Sequence, residues 1–326
     1  MKESLYRTIR LLEEANGPIS GEVLAERLGV TRAAVWKQIQ ELREQGYEIA
    51  SSQKEGYTLR QASERLLPYD VRKYLKTHAI GKRMHYLPTI PSTIDVARRI
   101  ATEGYPPDLH GTVVIAEEQT GGVGRLGRAW VSPEGGIWIT IILKPTIPID
   151  HVFMITMAGA VAIARAIRRE FGLGAMIKWP NDIYIGDKKV AGLLLELSAE
   201  ADTIHYCLLG IGVDVNFDPA VLSPNLQQTV TTIRAELEHE VDRARFLARM
   251  LREFERHYEL LEAQEYDAIL REWKSMSCTL EQHVHVNTLK KSFEGEAIDI
   301  DEFGALIIRK ENGKIERVIA GDCFHA

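Results

Sequence analysis

The 326-residue sequence predicts a multidomain α+β protein. A winged helix-turn-helix is expected at the N-terminus, a mixed sheet with helices in the centre, and a small SH3-like β-barrel at the C-terminus. Three observations predict it. Three short stretches of helical apolar period precede an alternating hairpin in the first sixty-odd residues. The centre joins strands by hairpins and adds a few long helices, rather than alternating regularly as βαβ units do. The tail alternates strands with glycine turns. The expected domains are 1–64, 65–273 and 274–326.

Composition narrows the classes. A 45% hydrophobic and 26% charged content fits a globular chain, not a disordered or fibrous one. The net charge of -6 gives no global pull towards nucleic acid, so such a contact needs a local patch. No run of eighteen apolar residues occurs, so no membrane span or membrane partner is expected. The opening "MKESLYRTIRLLEEA" carries acids early and lacks the apolar core of a signal peptide. Cys207, Cys278 and Cys323 lie far apart and form no C-x-x-C pair, which fits a reducing, cytoplasmic compartment.

In the first domain Leu5, Ile9 and Leu12 repeat at helical spacing. "NGPIS" breaks that helix, and Ser20 can cap the next, whose Val23, Leu24 and Leu28 form a face. Gly29 supplies a turn. Thr31 caps a third helix with Val35, Ile39 and Leu42 inward, and Gly46 closes it. "YEIASSQKEGYTL" reads as two strands around a polar turn. In a winged helix-turn-helix the third helix enters a major groove. Thr31, Arg32, Ala33, Trp36 and Lys37 at its start, with Lys54 on the wing, are then the DNA-binding candidates. Residues 2–65 carry equal numbers of Lys/Arg and Asp/Glu, ten of each. That balance weakens the case for DNA against the alternatives, a helical protein-interaction module or a helical cap on the next domain, but the order of elements and the wing favour DNA.

"RQASERLLPYD" is read as a linker. In the centre, "TGGVGRLGRAW" places Gly122, Gly124 and Gly127 in a G-x-G-x-x-G pattern. A dinucleotide fingerprint requires a helix directly afterwards, and here a polar loop and a strand follow. No kinase set and no P-loop is present. What remains is a mobile glycine loop bearing the guanidinium groups of Arg125 and Arg128, suited to carboxylate or phosphate. A flexible surface turn is the bland alternative, weakened by Trp130 and by the buried-looking strand that anchor the loop. "KWPNDIYIGDKKVAG" crowds Lys178, Asn181, Asp182, Lys188 and Lys189 at a strand end, fit for phosphates and a magnesium ion, or for a mere charged hairpin tip. Gly210 and Gly212 share one strand face, where a flat ligand can lie on bare backbone. In the tail, turns are expected at Glu294-Gly295, Phe303-Gly304 and Asn312-Gly313. His283 and His285 share a strand face and read as surface histidines.

Taken together, "TRAAVWKQI", "QTGGVGRLGRAW", "KWPNDIYIGDKKVAG" and "GIGVDVN" resemble, in the same order, the motifs of the bacterial biotin–protein ligase and biotin operon repressor family. The resemblance covers nearly the whole chain. It implies a centre folded like class II tRNA synthetases. It implies that biotin and ATP form biotinyl-5'-AMP. A lysine of a biotin carboxyl carrier protein domain then attacks it; acetyl-CoA carboxylase is the expected acceptor and pyruvate carboxylase a further candidate. The adenylate is also the implied corepressor, and the adenylate-bound chain the implied homodimer on operator DNA. By resemblance, Lys189, Arg125 and Arg128 are catalytic. Ser92, Thr93, Ile94, Gln119, Val123, Gly124, Gly192, Gly210 and Gly212, with Arg125 and Lys189, are implied to hold biotin. Gly122, Trp130, Lys178, Asn181 and Asp214, with both arginines, are implied to hold ATP or the adenylate, and Asp182 the magnesium ion. Three positions depart from the motifs. Val123 replaces an arginine, Ile94 replaces the asparagine of S-T-N, and Asp214 replaces the asparagine of G-I-G-I-N. The alternative function is a DNA-binding biotin sensor with a degenerate ligase domain.

Overall fold

The computed structural model describes residues 3–15, 17–52, 54–104, 108–288 and 291–325. Asn16 of the expected helix break and Gln53 of the expected wing turn lie outside the described residues. The chain divides into two units, Met1–Lys73 and Tyr74–Ala326.

The first unit contains α1 (Glu3–Glu14), α2 (Gly21–Leu28), α3 (Arg32–Glu44), β1 (Glu48–Ser52), β2 (Gly56–Gln61) and, at its end, α4 (Pro68–Tyr74). Leu5, Ile9 and Leu12 of α1 are buried with Leu24, Leu28, Val35, Ile39 and Leu42. Ser20 accepts a hydrogen bond from the Val23 N–H and Thr31 from that of Ala34, each at 3.2 Å, satisfying orphan donors at two helix starts. Gly29 takes φ +68° between the helices. Val23 is a correction: it is exposed, and Ala25 takes the buried place beside Leu24 and Leu28. In so short a helix the apolar stripe runs through positions 24, 25 and 28, which turns position 23 outward.

The stretch expected as a linker is packed instead. Leu66 and Leu67 are buried and lead into α4. The Tyr47 hydroxyl donates to Asp70 Oδ2 at 2.8 Å, and Lys73 Nζ donates to Asp70 Oδ1 at 2.7 Å while pairing with Glu13. Tyr69 donates to Glu13 Oε2 at 2.7 Å. Burial, reinforced by Asp70, pushes the Tyr47 hydroxyl far up from its ordinary value. These long-range polar partners are invisible to local periodicity.

The wing is pinned where Ile19 and Tyr57 exchange backbone hydrogen bonds of 2.8 and 2.9 Å. Gly56 sits beside them at φ +98°, and a Cβ there would lie 2.2 Å from the Ile19 carbonyl oxygen. Gly56→Ala should therefore cost the unit about 1–3 kcal/mol from strain alone. Calorimetry of the full chain should show one transition shifted down and the other unmoved.

The second unit is built on a seven-stranded sheet. Its strands are β3 (Met84–Ile90), β4 (Thr112–Gln119), β5 (Ile137–Leu143), β6 (Ala175–Lys178), β7 (Asp182–Ile185), β8 (Lys188–Glu200) and β9 (Thr203–Val213). The order is β3-β4-β5-β9-β8-β7-β6. Only β3 and β4 pair in parallel, so the sheet is mixed. Its helices are α5 (Thr93–Glu103), α6 (Met154–Phe171), α7 (Pro224–Thr229), α8 (Ile233–Leu237), α9 (Arg243–Glu262) and α10 (Tyr266–Ser275). The α6 helix is apolar nearly all round because it is buried on most sides. A Cβ on its Gly159 would lie 2.6 Å from Leu193 of β8 and 3.9 Å from Phe254 of α9. At the start of α9, Arg243 donates to the Gly136 carbonyl at 2.8 Å and pairs with Glu117 of β4 in the interior.

The last five strands are β10 (His283–Asn287), β11 (Ser292–Ile300), β12 (Leu306–Arg309), β13 (Ile315–Val318) and β14 (Asp322–His325). They form an antiparallel sheet ordered β13-β12-β11-β10-β14, and no pairing of β13 with β14 closes it among the described residues. Gly304 and Gly313 take φ +83° and +78° in turns that lie where expected. Glu294-Gly295 is not a turn. It lies inside β11, where a Cβ on Gly295 would meet the Arg309 carbonyl oxygen at 2.4 Å, so this glycine serves close strand approach. Between β10 and β11 the Thr288 N–H donates to the Lys291 carbonyl at 3.0 Å. His283 and His285 stand on the less buried face of β10, opposite Val284 and Val286.

Candidate active site

One cavity of about 280 Å³ opens on the second unit. Its floor is backbone. Gly192 and Gly212 face each other across β8 and β9, and Gly210 pairs with Leu194 two residues on. A Cβ on Gly212 would lie 2.7 Å from Trp130 Nε1, and one on Gly192 would lie 3.0 Å from the same ring. One on Gly210 would lie 2.9 Å from Ile94 Cδ1. Trp130 and Ile94 therefore lie on a surface that only glycine leaves open. Trp130 Nε1 is buried without a partner among the described residues, a donor left for a ligand.

One end of the cavity is polar. Ser92, Thr93 and Ile94 begin α5, and Ser92 makes no capping hydrogen bond with its side chain. The Thr93 backbone N–H and hydroxyl donate to Gln119 Oε1 at 2.8 and 3.0 Å. Thr140 donates to Thr93 Oγ1 at 2.9 Å. Gln119 Nε2 donates to Ser132 Oγ at 2.9 Å, and Ser132 donates to the Trp130 carbonyl at 3.1 Å.

The other end is charged. Lys189 Nζ lies 2.7 Å from Asp182 Oδ1 and 4.8 Å above the Trp130 ring. Asn181 accepts from Arg125 Nη1 at 3.1 Å and donates to the Leu193 carbonyl. Asp214 is buried on the same wall, and burial holds its carboxyl well above the usual range, opposed by Lys189. The glycine loop is tied down rather than loose. Gly124 N–H donates to the Arg128 carbonyl at 2.7 Å. Arg125 Nη2 donates to the Gly321 carbonyl at 3.1 Å, and Arg128 pairs with Asp322, both in the C-terminal sheet region. Burial lowers the Arg125 pKa, and Asp322 and Asp182 oppose that. Between the two arginines Leu126 adopts φ +56° at 59% exposure, a conformation few non-glycine residues take.

The wall thus gathers Ser92, Thr93, Ile94, Gln119, Val123, Gly124, Arg125, Arg128, Trp130, Asn181, Asp182, Lys189, Gly192, Gly210, Gly212 and Asp214. Gly122 and Lys178 are not brought to it. Gly122 is covered by the Trp130 carbonyl and Ser132, and Lys178 Nζ lies 5.1 Å over the Tyr184 ring. Lys188 stays at the β7–β8 turn. Tyr184, Leu222, Leu226, Thr229, Val230 and Asp322 also line the cavity and were missed. They come from short helices, a strand interior and the distant tail, where no motif marks them. In the first unit Arg32, Ala33, Trp36 and Lys37 are exposed on α3, with Thr31 at its cap and Lys54 exposed beside the wing. Trp36 is 55% exposed, large for a ring with no ligand on it.

A winged-helix unit, followed by a mixed-sheet unit whose cavity combines a glycine floor with a lysine and two arginines, defines a ligase-type enzyme that carries a DNA-binding module. The profile of the biotin/lipoate A/B protein ligase family matches residues 87–214, an HTH domain matches 5–58, and the biotin protein ligase C-terminal domain matches 279–326. The chain is 34% identical to the bifunctional ligase/repressor BirA of Bacillus subtilis over 96% of both chains, and 28% identical to that of Escherichia coli over 94% of this chain and 93% of that one. The chain belongs to the bifunctional ligase/repressor family. In fold it is similar to the biotin protein ligase of Aquifex aeolicus, solved with biotin and ATP, with a TM-score of 0.66 at 24% identity over 75% of this chain and all of that one.

Proposed function

We propose that this chain joins biotin to ATP as biotinyl-5'-AMP, transfers biotin to a lysine of a biotin carboxyl carrier protein domain, and represses biotin-synthesis genes through its winged helix. Acetyl-CoA carboxylase is the acceptor we assign, with pyruvate carboxylase next. The observation that carries the reading is Lys189, held beside Asp182 over a floor of three glycines. A carboxylate attacking a phosphate needs neutralised charge more than it needs a base. Lys189 serves the biotin carboxylate and the developing charge. Ser92, Thr93 and Gln119 hold the polar end of biotin, and the glycine floor with Trp130 takes its flat body. Arg125 and Arg128 face the adenylate phosphate, with Asn181 behind Arg125. Gly122 and Lys178 support the loop and strand end from outside the wall.

Magnesium fits as a sparsely held ion. Among the described residues no group of three or more His, Cys, Asp or Glu could cage a metal. One carboxylate, Asp182, with waters and substrate oxygens suits magnesium's habit. When bound, the ion would neutralise phosphate charge. Within the chain we read the centre as class II-synthetase-like, the last sheet as SH3-like, the domains as 1–64, 65–273 and 274–326, and the compartment as cytoplasmic.

The test is incubation of the full chain with biotin, ATP, magnesium and an acceptor domain, read by mass. A biotin-sized gain on one lysine supports the ligase. Adenylate bound without transfer supports the alternative, a sensor with a degenerate ligase domain, which the departures at Val123, Ile94 and Asp214 would favour. Repression is tested by gel shift at fixed salt. The first domain has balanced charge, so one copy holds DNA weakly, and a homodimer formed by the adenylate-bound chain adds its contacts on a two-fold site. Operator affinity should rise with biotin and ATP and fall when unmodified acceptor consumes the adenylate. Affinity indifferent to both would overturn the corepressor role. Arg125→Gly, which removes the contacts to Asn181 and Gly321, should release adenylate faster in a filter-binding chase, with parental retention as the contrary result.

A further inference from the structure

The outward face of α3 carries groups that its own unit does not use. Val35, Ile39 and Leu42 are fully buried, so the helical repeat gathers Arg32, Ala33, Trp36 and Lys37 on the exposed side. Among the described residues the side chains of Arg32, Trp36 and Lys37 make no hydrogen bond, ion pair or ring contact. Trp36 is the barest of the described Phe, Tyr and Trp rings.

Other rings and cations of the unit are committed. Tyr6 lies 5.5 Å from Tyr69 with Arg72 over it, and the Tyr47 hydroxyl donates to Asp70. Arg10 pairs with Glu14, and Lys73 with Glu13 and Asp70. Arg43 donates to the Ile49 carbonyl and Arg65 to the Glu44 carbonyl, each at 2.9 Å. The even charge count of this unit therefore understates α3. Its first turn carries no acid, and its two outward cations are unpaired.

Arg32 and Lys37 suit phosphates or the acceptor edges of bases. The rings of an indole need an apolar partner instead. The major-groove edges of the base pairs offer one apolar group, the C5-methyl of thymine. We propose that Trp36 reads sequence by apolar contact, its rings closing over a thymine methyl in each half of a two-fold DNA site. The inference rests on the repressor reading of the winged helix, whose HTH match spans residues 5–58. Arg32 and Lys37 flank the ring and draw the phosphates or guanines beside it, so the indole is pressed into the groove rather than left in water.

The test uses the full chain with biotin and ATP at fixed salt. Duplexes that it retains are enriched from a randomised pool. The tightest is remade with uracil in place of one thymine at a time. Uracil keeps the base pair and the O4 acceptor and removes only the methyl. At one thymine of each half-site the parent should lose affinity by about fourfold, the worth of one buried methyl group. Trp36→Ala should bind the thymine and uracil duplexes alike, both more weakly than the parent binds thymine. Trp36→Phe, with a smaller ring, should keep part of the preference. The unfolding transition of the first unit should stay in place in both variants, since the ring lies outside the core.

Indifference to uracil at every thymine would overturn the proposal, and a loss in Trp36→Ala beside it would put the indole on the sugar–phosphate backbone. A uracil penalty as large in Trp36→Ala as in the parent would also overturn it, giving the methyl to another side chain, Ala33 first. A retained duplex without thymine would do the same. If no duplex is enriched, the repressor reading fails and the role of Trp36 with it. If one is enriched and its binding ignores the methyl, the repressor reading stands and this inference alone falls.

Discussion

Lys189→Ala is expected to slow pyrophosphate release from biotin and ATP by roughly 10²–10³, the loss of about 2.7–4 kcal/mol of charge stabilisation at the transition state. The fold should survive, since the Lys189 ammonium lies in the cavity against Asp182 and over Trp130, not in a core. Its backbone carbonyl, which accepts from Thr231 N–H at 2.9 Å, is untouched by the change. The effect should fall on the chemical step more than on biotin affinity, because Ser92, Thr93, Gln119 and the glycine floor remain. Single-turnover kinetics with saturating biotin separate the two. Pyrophosphate at the parental rate would remove Lys189 from the chemistry. The unfolding transition of the second unit in calorimetry should be unchanged, which guards against a general loss of structure.

Arg243→Met is the largest expected loss of stability. Arg243 and Glu117 are both under a tenth exposed and pair directly, and Arg243 also holds the Gly136 carbonyl. Removing the guanidinium leaves a buried carboxylate without that cation, with the Tyr86 hydroxyl still donating to Glu117 Oε2 at 3.5 Å, at a cost of about 3–5 kcal/mol. The pair ties the start of α9 to β4 and to the entry of β5, which are the elements behind the polar end of the cavity. The unfolding transition of the second unit in urea should move well down. The double variant Arg243→Met, Glu117→Leu should recover much of the loss, because two apolar side chains fill the space without a charge. Equal destabilisation of single and double variants would show that packing and the Gly136 contact, not the carboxylate's lost cation, set the cost.

Elements with strong local signals were legible. Helical period placed Leu5, Ile9, Leu12, Val35, Ile39 and Leu42 in the interior, and Ser20 and Thr31 cap as side chains of their kind do. Gly210 and Gly212 share one strand face, as their spacing predicts, and Ile94 and Trp130 approach that face. Features that depend on distant partners were not legible. The α4 helix looks polar, yet its Asp70 and Lys73 are held by Tyr47 and Glu13 from earlier in the chain. Gly295 looks like a turn, but the approach of Arg309 is what requires it. Asp322 looks like a strand residue of the tail, and only the folded chain sets it against Arg128. The partners of the glycine loop were not legible for the same reason: Gly321 and Asp322 lie some two hundred residues away in sequence.

The hydrogen bonds around Gln119 all point one way. Thr140 gives its proton to Thr93, Thr93 to Gln119, Gln119 to Ser132, and Ser132 to the Trp130 carbonyl. A carbonyl at the far terminus can only receive, so it fixes the sense of the whole relay, and no single member can reverse without stranding a neighbour. The Gln119 amide is therefore oriented before any ligand arrives. Its oxygen is already taken twice by Thr93, and one of its N–H groups by Ser132. A guest acceptor that meets the second N–H would complete the circuit. One of the same shape with a donor there would meet a donor, and the rejection of such isosteres by sites built on fixed polar groups reaches about 10⁴–10⁵. A guest that meets Gln119 would be judged by the placing of its donors and acceptors as well as by its shape.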